Sequence, residues 1–392
     1  MGVFHVDCRV PMRRVVCLVS ALVLAGCASH SVANAPSVTP IPTVEGHASP
    51  TASASGGIQD TALGPGGMTL QQEIGAVMMV GFKGPLTPAI LDDWRRHQFG
   101  GLIVVPVNQN ARDAAAIRQL IQSVRGVMRH PLMAATNQEG GTVCFLETGV
   151  PCLAGARQVG PEGPSAVQSE MTTMSRVLKA LGFDINFAPV ADVWDGTHPV
   201  MSERSYGENP QLVAQDVTAA IAGVHAAGMY AAAKHFPGHG TANADSHLNV
   251  PMVSESAQTL RSRDFIPFQA AIAAHVEFVM IGHLNVPSID ASVPTSMSAT
   301  VLQVLRSELG YQGVIISDDL QMGALSPQYP PPLAAVRFLE NGGNMVIVSH
   351  DIAVADATYE AIHAAVLNGS YRRAQLDASV QKLLSLGLRY MP

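Results

Sequence analysis

The chain has 392 residues, of which 47% are hydrophobic and only 14% charged, and its net charge is −7. That is enough apolar material for a large buried core. An acidic balance offers no basic face to a phosphate backbone, so no nucleic acid partner is expected.

The first element in chain order is a targeting segment. Arg13 and Arg14 precede the apolar run VVCLVSALVLAG, which stops just before Cys27. A basic start followed by a roughly 10-residue apolar stretch is the pattern of a secretory signal. A transmembrane helix would need about 20 apolar residues. The ending LAGC resembles a bacterial lipobox, whose cysteine carries lipid and becomes the mature N-terminus. That implies a signal peptide over 1–26, lipidation at Cys27, and anchoring on the extracytoplasmic face of the cell membrane. Residues 27–66 are rich in Ser, Ala, Thr, Pro and Gly and poor in core-forming side chains. They read as a flexible tether, and residues 67–392 as the folded domain.

Within that domain eight short apolar runs succeed one another: 77–82, 100–105, 131–137, 183–190, 229–235, 277–283, 313–319 and 344–350. Between them lie stretches with apolar residues at helical spacing, such as ARDAAAIRQLIQSVRGVM and SAVQSEMTTMSRVLKALG. Strands this apolar, without alternation, suit a parallel sheet covered on both faces. Eight β–α alternations predict a single (β/α)8 TIM-type barrel, typically about 250 residues long. A doubly wound sheet is the alternative, because strand order is not visible in a sequence. Asn137, Asp192, Lys234, His235, His283 and Asp318 fall at or just past the C-terminal ends of the runs. In a barrel those ends converge on one mouth.

Two constellations carry candidate chemistry. In GVIISDDLQM, Asp318 and Asp319 directly succeed an apolar strand and must face opposite ways. One can enter the mouth while the other supports it or caps the next segment. In KHFPGHGTANADSH, Asp245 and His247 stand one residue apart, where a carboxylate raises the basicity of an imidazole and fixes its tautomer. His235 and His239 of the same stretch raise the question of a metal. Pro237 and Gly238 interrupt the segment, so no helix presents both rings on one face, and no metal or other cofactor is expected. Cys8 and Cys17 leave with the signal and Cys27 takes lipid. The remaining pair, Cys144 and Cys152, eight apart in an exported chain, is a candidate disulfide.

Taken together, NQEGG (137–141), LGFDINFAPVADV (181–193), ERSYG (203–207), KHFPGHG with DSH (245–247), VMIGH (279–283) and GVIISDDLQM (313–322) resemble glycoside hydrolase family 3. More narrowly they resemble its bacterial β-N-acetylglucosaminidases of peptidoglycan recycling, including lipid-anchored actinobacterial members. The resemblance implies that Asp318 is the nucleophile and His247 the acid/base, oriented by Asp245. It implies that Arg204, Lys234 and His235 hold sugar hydroxyls and the acetamido group, with Asp192 supporting the same floor; His283 is counted with the substrate-binding residues. The implied substrates are GlcNAc–MurNAc (muropeptide) fragments, cleaved by a monomer.

The chain departs from the family pattern in places. Asn137 stands where the family usually has Asp; its carbonyl can still accept a hydrogen bond, but without charge. Thr142-Val143-Cys144-Phe145 replaces a segment that commonly carries two arginines. These departures leave open a catalytically impaired muropeptide-binding lipoprotein, and a neutral imidazole as acid/base leaves open phosphate instead of water as acceptor.

Overall fold

The computed structural model describes residues 62–387 apart from 145–151, 245–249, 324, 326 and 327. The signal peptide, Cys27, most of the tether, Asp245 and His247 therefore lie outside the described residues. Ten strands occur among those described: β1 (Met78–Val80), β2 (Gly101–Ile103), β3 (Met133–Thr136), β4 (Gln138–Gly140), β5 (Val143–Cys144), β6 (Ile185–Asn186), β7 (Tyr230–Phe236), β8 (Phe278–Ile281), β9 (Val314–Asp319) and β10 (Met345–Val348). Eight of them form a closed barrel in the order β1-β10-β9-β8-β7-β6-β3-β2. Every pairing is parallel, and β1 closes the ring by pairing with both β10 and β2. This is the (β/α)8 barrel, and the doubly wound alternative is excluded, because an open sheet has two unpaired edges.

Each barrel strand lies within one of the eight apolar runs, except that β7 runs one residue past its own, to Phe236. The strands β1, β2, β3, β8 and β10 are buried at every position. That explains the missing alternation: one face fills the barrel and the other meets the helices. The helices supply the outer layer. Leu70–Ala76 opens with a full capping box between Thr69 and Gln72. Pro164–Leu181 and Pro210–Ala226 each place proline in the first turn, where its missing N–H costs nothing, and they pack against each other.

Two local features differ from the sequence expectation. The run 183–190 is regular strand only at Ile185 and Asn186, and Pro189, which has no N–H, contributes only its carbonyl, to the Lys234 N–H at 3.3 Å. An isolated bridge from Val190 to Lys234 then resumes the pairing. Beyond β3 the chain does not simply leave the barrel. It folds back as an antiparallel hairpin of β4 and β5. The turn runs through Gly140 (φ 90°) and Gly141 (φ 57°), a backbone conformation that L side chains rarely adopt. The two glycines of NQEGG are thus needed for the hairpin. Cys144 of β5 is joined to Cys152 by a disulfide.

Candidate active site

The C-terminal ends of the strands enclose a cavity of about 550 Å³. Asp318, Asp319, Asn137, Thr142 and Cys144 reach it, and Val105, Val107, Met280, Met322 and Ile347 supply apolar wall. Grooves of about 510 and 460 Å³ occur at the opposite end of the barrel. Neither contains any of the candidate residues.

The floor beside the cavity is built around a carboxylate to which the sequence motifs assigned no role. Glu139, on β4, is buried and accepts two bonds of 2.8 Å from Arg204, one from Nε and one from a terminal nitrogen. Lys234 Nζ, from β7, lies 2.7 Å from the same carboxylate. Burial alone would raise the Glu139 carboxyl, but Arg204 and Lys234 outweigh it and hold it far below the ordinary glutamate value. Burial draws the Lys234 ammonium below its ordinary value, against the pull of Glu139. Lys234 Nζ is also 3.5 Å from Asn137 Oδ1, the long end of the hydrogen-bond range. A hint of Glu139's role was present: Lys234, at a buried strand end, requires a counter-ion. NQEGG held a candidate, but only the hairpin turns it toward that lysine.

Asp192 does the same for the histidines. It is fully buried and accepts from the His235 N–H at 3.1 Å, from His235 Nδ1 at 2.8 Å and from the His239 N–H at 2.7 Å. Burial opposes its ionisation, but His235, His239 and these bonds lower the carboxyl overall. A carboxylate can only accept, so His235 Nδ1 carries the hydrogen, and Nε2 is left facing Arg204 at 3.5 Å. His239 is pushed down to about 4, chiefly by burial. It is thus neutral.

The paired aspartates of β9 divide as adjacent residues of a strand must. Asp319 also borders the cavity but is bound from several sides. It accepts from Ser349 Oγ at 2.5 Å, from the Ser349 N–H at 3.2 Å and from the Gln321 N–H at 3.1 Å. His350 Nε2 lies 3.2 Å from it. Asp318 opens onto the cavity and accepts from the Asp319 N–H at 2.8 Å. Burial would raise its carboxyl, but His235, His283, that N–H and Lys234 together hold it below the ordinary aspartate value. It is therefore an ionised carboxylate at neutral pH.

His283, at the end of β8, has both ring nitrogens occupied. Nε2 donates to the Asp319 carbonyl at 3.0 Å, so Nδ1 must accept from Ser296 Oγ at 2.8 Å. Burial lowers its basicity. The ring therefore reaches the site through the backbone of Asp319. Among the described residues no group of three His, Cys, Asp or Glu side chains is arranged to hold a metal. The positions of Asp245 and His247 are not described, but the base of their loop is. Asn243 and Met252 bond each other across it, N–H to carbonyl at 3.2 Å and N–H to Asn243 Oδ1 at 2.9 Å.

The sequence model described as the glycosyl hydrolase family 3 N terminal domain matches residues 69–386. A β-hexosaminidase of Stenotrophomonas maltophilia (strain R551-3) is 31% identical over 312 residues, 76% of this chain and 92% of that one. Among solved structures, a family 3 β-N-acetylglucosaminidase from Paenibacillus sp. str. FPU-7 superposes with a TM-score of 0.78 at 34% identity. It matches 81% of this chain, which spans only 62% of that one. LpqI of M. tuberculosis superposes with a TM-score of 0.75 at 26% identity, over 82% of this chain and 94% of that one.

Proposed function

The chain belongs to glycosyl hydrolase family 3 and is a glycoside hydrolase, and from that premise we propose a retaining exo-β-N-acetylglucosaminidase acting on peptidoglycan (muropeptide) fragments. The observation that carries the reading is Asp318: an ionised carboxylate, buttressed by Asp319, at the edge of a cavity large enough for sugar rings. An oxocarbenium-like anomeric carbon attracts such a group.

In the first step an Asp318 oxygen forms a bond to the anomeric carbon as the bond to the leaving oxygen breaks. His247 gives its proton to that oxygen. The product is a covalent glycosyl-Asp318 and a neutral imidazole. In the second step His247 takes a proton from water, the hydroxyl attacks the anomeric carbon, and Asp318 departs as a carboxylate. Asp245 orients the imidazole through both steps. Arg204, Lys234, His235 and Asn137 present donors and an acceptor to the terminal sugar, with Glu139 and Asp192 fixing the cations and imidazole beneath it. His283 positions the Asp319 peptide that holds Asp318. Lipid on Cys27 tethers the domain to the outer face of the membrane.

The test is turnover of 4-methylumbelliferyl N-acetylglucosaminide by purified protein beside an Asp318→Asn control. Turnover that the control lacks supports the reading. Equal turnover by both, or none by the wild type, overturns it.

A further inference from the structure

The wall of the cavity away from the Glu139 floor has a distinctive charge pattern. It exposes two carboxylates, Asp318 and Asp319, and among the described residues no lysine or arginine lines it. Of the cations beside the floor, Lys234 is buried and Arg204 largely so, and both are already bound to Glu139. The two cations therefore face four carboxylates: Glu139, Asp192, Asp318 and Asp319. His350 reaches the cavity, but its Nε2 is 3.2 Å from Asp319, so positive charge on that ring is matched within the pair. Lys83 donates its backbone N–H to the His350 carbonyl at 2.9 Å, yet its side chain is exposed to solvent and outside the lining. The segments FLETGVP (145–151) and DSHLN (245–249) also contain no lysine or arginine. The rest of the wall, including Val105, Val107 and Met322, is apolar, and Val107 is 62% exposed at the rim.

We infer that this cavity selects a leaving sugar with no free carboxylate beside the scissile oxygen. In a muramic acid the lactyl group is on O3, and the terminal N-acetylglucosamine is attached through the neighbouring O4. A free lactyl carboxylate would thus enter the cavity close to Asp318. It would meet like charge in a space where water screens weakly, and the one cation the mechanism puts at the scissile oxygen, the His247 imidazolium, is countered by Asp245, so nothing offsets the loss of its own hydration. When the lactyl carboxyl is amide-linked, as in a peptide-bearing muramoyl unit, that charge is gone at the same position. A second N-acetylglucosamine is neutral there too. This inference rests on the proposed N-acetylglucosaminidase reading and names the leaving groups it takes.

The experiment measures kcat/KM of the full-length protein on three disaccharides with N-acetylglucosamine at the non-reducing end. The partners are N-acetylglucosamine, N-acetylmuramic acid as the free acid, and the same muramic acid with its lactyl carboxyl as an alanine amide capped at its own carboxyl. An aryl N-acetylglucosaminide runs alongside. Both neutral partners are expected to be cleaved about tenfold or more faster than the free acid at low salt, and the gap to narrow at about 0.5 M salt as the repulsion is screened. Val107→Lys places a cation on the exposed rim and is expected to reduce the ratio between the amide and the free acid. If the free acid is cleaved as fast as the amide at low salt while the aryl substrate is turned over, the inference falls and the enzyme reading stands. If the aryl substrate is not turned over, the reading fails and the inference with it. A tenfold gap that neither salt nor Val107→Lys narrows assigns the selection to shape and overturns the electrostatic argument.

Discussion

Glu139→Gln is the most direct test of how the site is built. The carboxylate binds the buried Lys234 and the largely buried Arg204 through three contacts of 2.7–2.8 Å. Glutamine keeps the shape and one carbonyl oxygen but places an NH2 against donors, and leaves Arg204 and Lys234 without a counter-charge. Removing one partner of a buried ion pair costs about 3–5 kcal/mol. With an unfolding entropy of about 2.1 cal/mol/K per residue over a domain of roughly 320 residues, that becomes a fall in Tm of about 4–8 °C. The pH dependence has a definite sign. The folded carboxyl lies below its ordinary value of 4.5, so its contribution is complete above that pH and is lost as pH falls. The Tm difference between wild type and variant should therefore be flat from about pH 5 to 8 and narrow below about pH 4. Activity should suffer as well, since a misplaced sugar floor commonly costs about 100-fold in kcat/KM. Thermal melts across pH, with kcat/KM on an aryl N-acetylglucosaminide, read both effects. A variant with wild-type Tm and activity at pH 7 would show that Glu139 is not the anchor of Arg204 and Lys234.

Three further outcomes are expected. Asn137→Asp brings a carboxylate near Lys234 Nζ, now 3.5 Å from the amide oxygen; one charge-assisted bond to a sugar hydroxyl, worth roughly 0.5–2 kcal/mol, should raise kcat/KM about 2- to 30-fold, and a fall in the folded variant would mean the site is adapted to the amide. His247→Ala should be crippled on a sugar–sugar bond yet show a burst on a dinitrophenyl glycoside, with azide restoring turnover and Asp245→Ala giving a milder form; equal losses on both leaving groups would remove His247 from the acid/base role. Cys27→Ala should move the folded protein from the membrane fraction to the soluble one, and unchanged membrane partition would end the lipid-anchor reading.

The barrel was legible in the sequence because its strands are buried on both faces. Continuous apolar runs such as VIIS and MVIV, separated by helical spacing, leave little other architecture that could cover them. The polar strand ends were legible for the same reason, since Asp318, Lys234 and His235 interrupt apolar segments where burial would otherwise forbid charge. Whether the sheet closes was not legible. Closure depends on β1 meeting β10, a pairing across most of the domain that no local pattern records. Partnership was likewise a tertiary matter. Glu139 lies 65 residues from Arg204, and Asp192 lies 43 from His235, so only the folded ring makes them partners. The two aspartates of β9 could be separated into two roles by strand geometry alone. Which of them is left without side-chain partners at the cavity was decided by Ser349 and His350, at the end of the neighbouring strand, binding Asp319 and leaving Asp318 open.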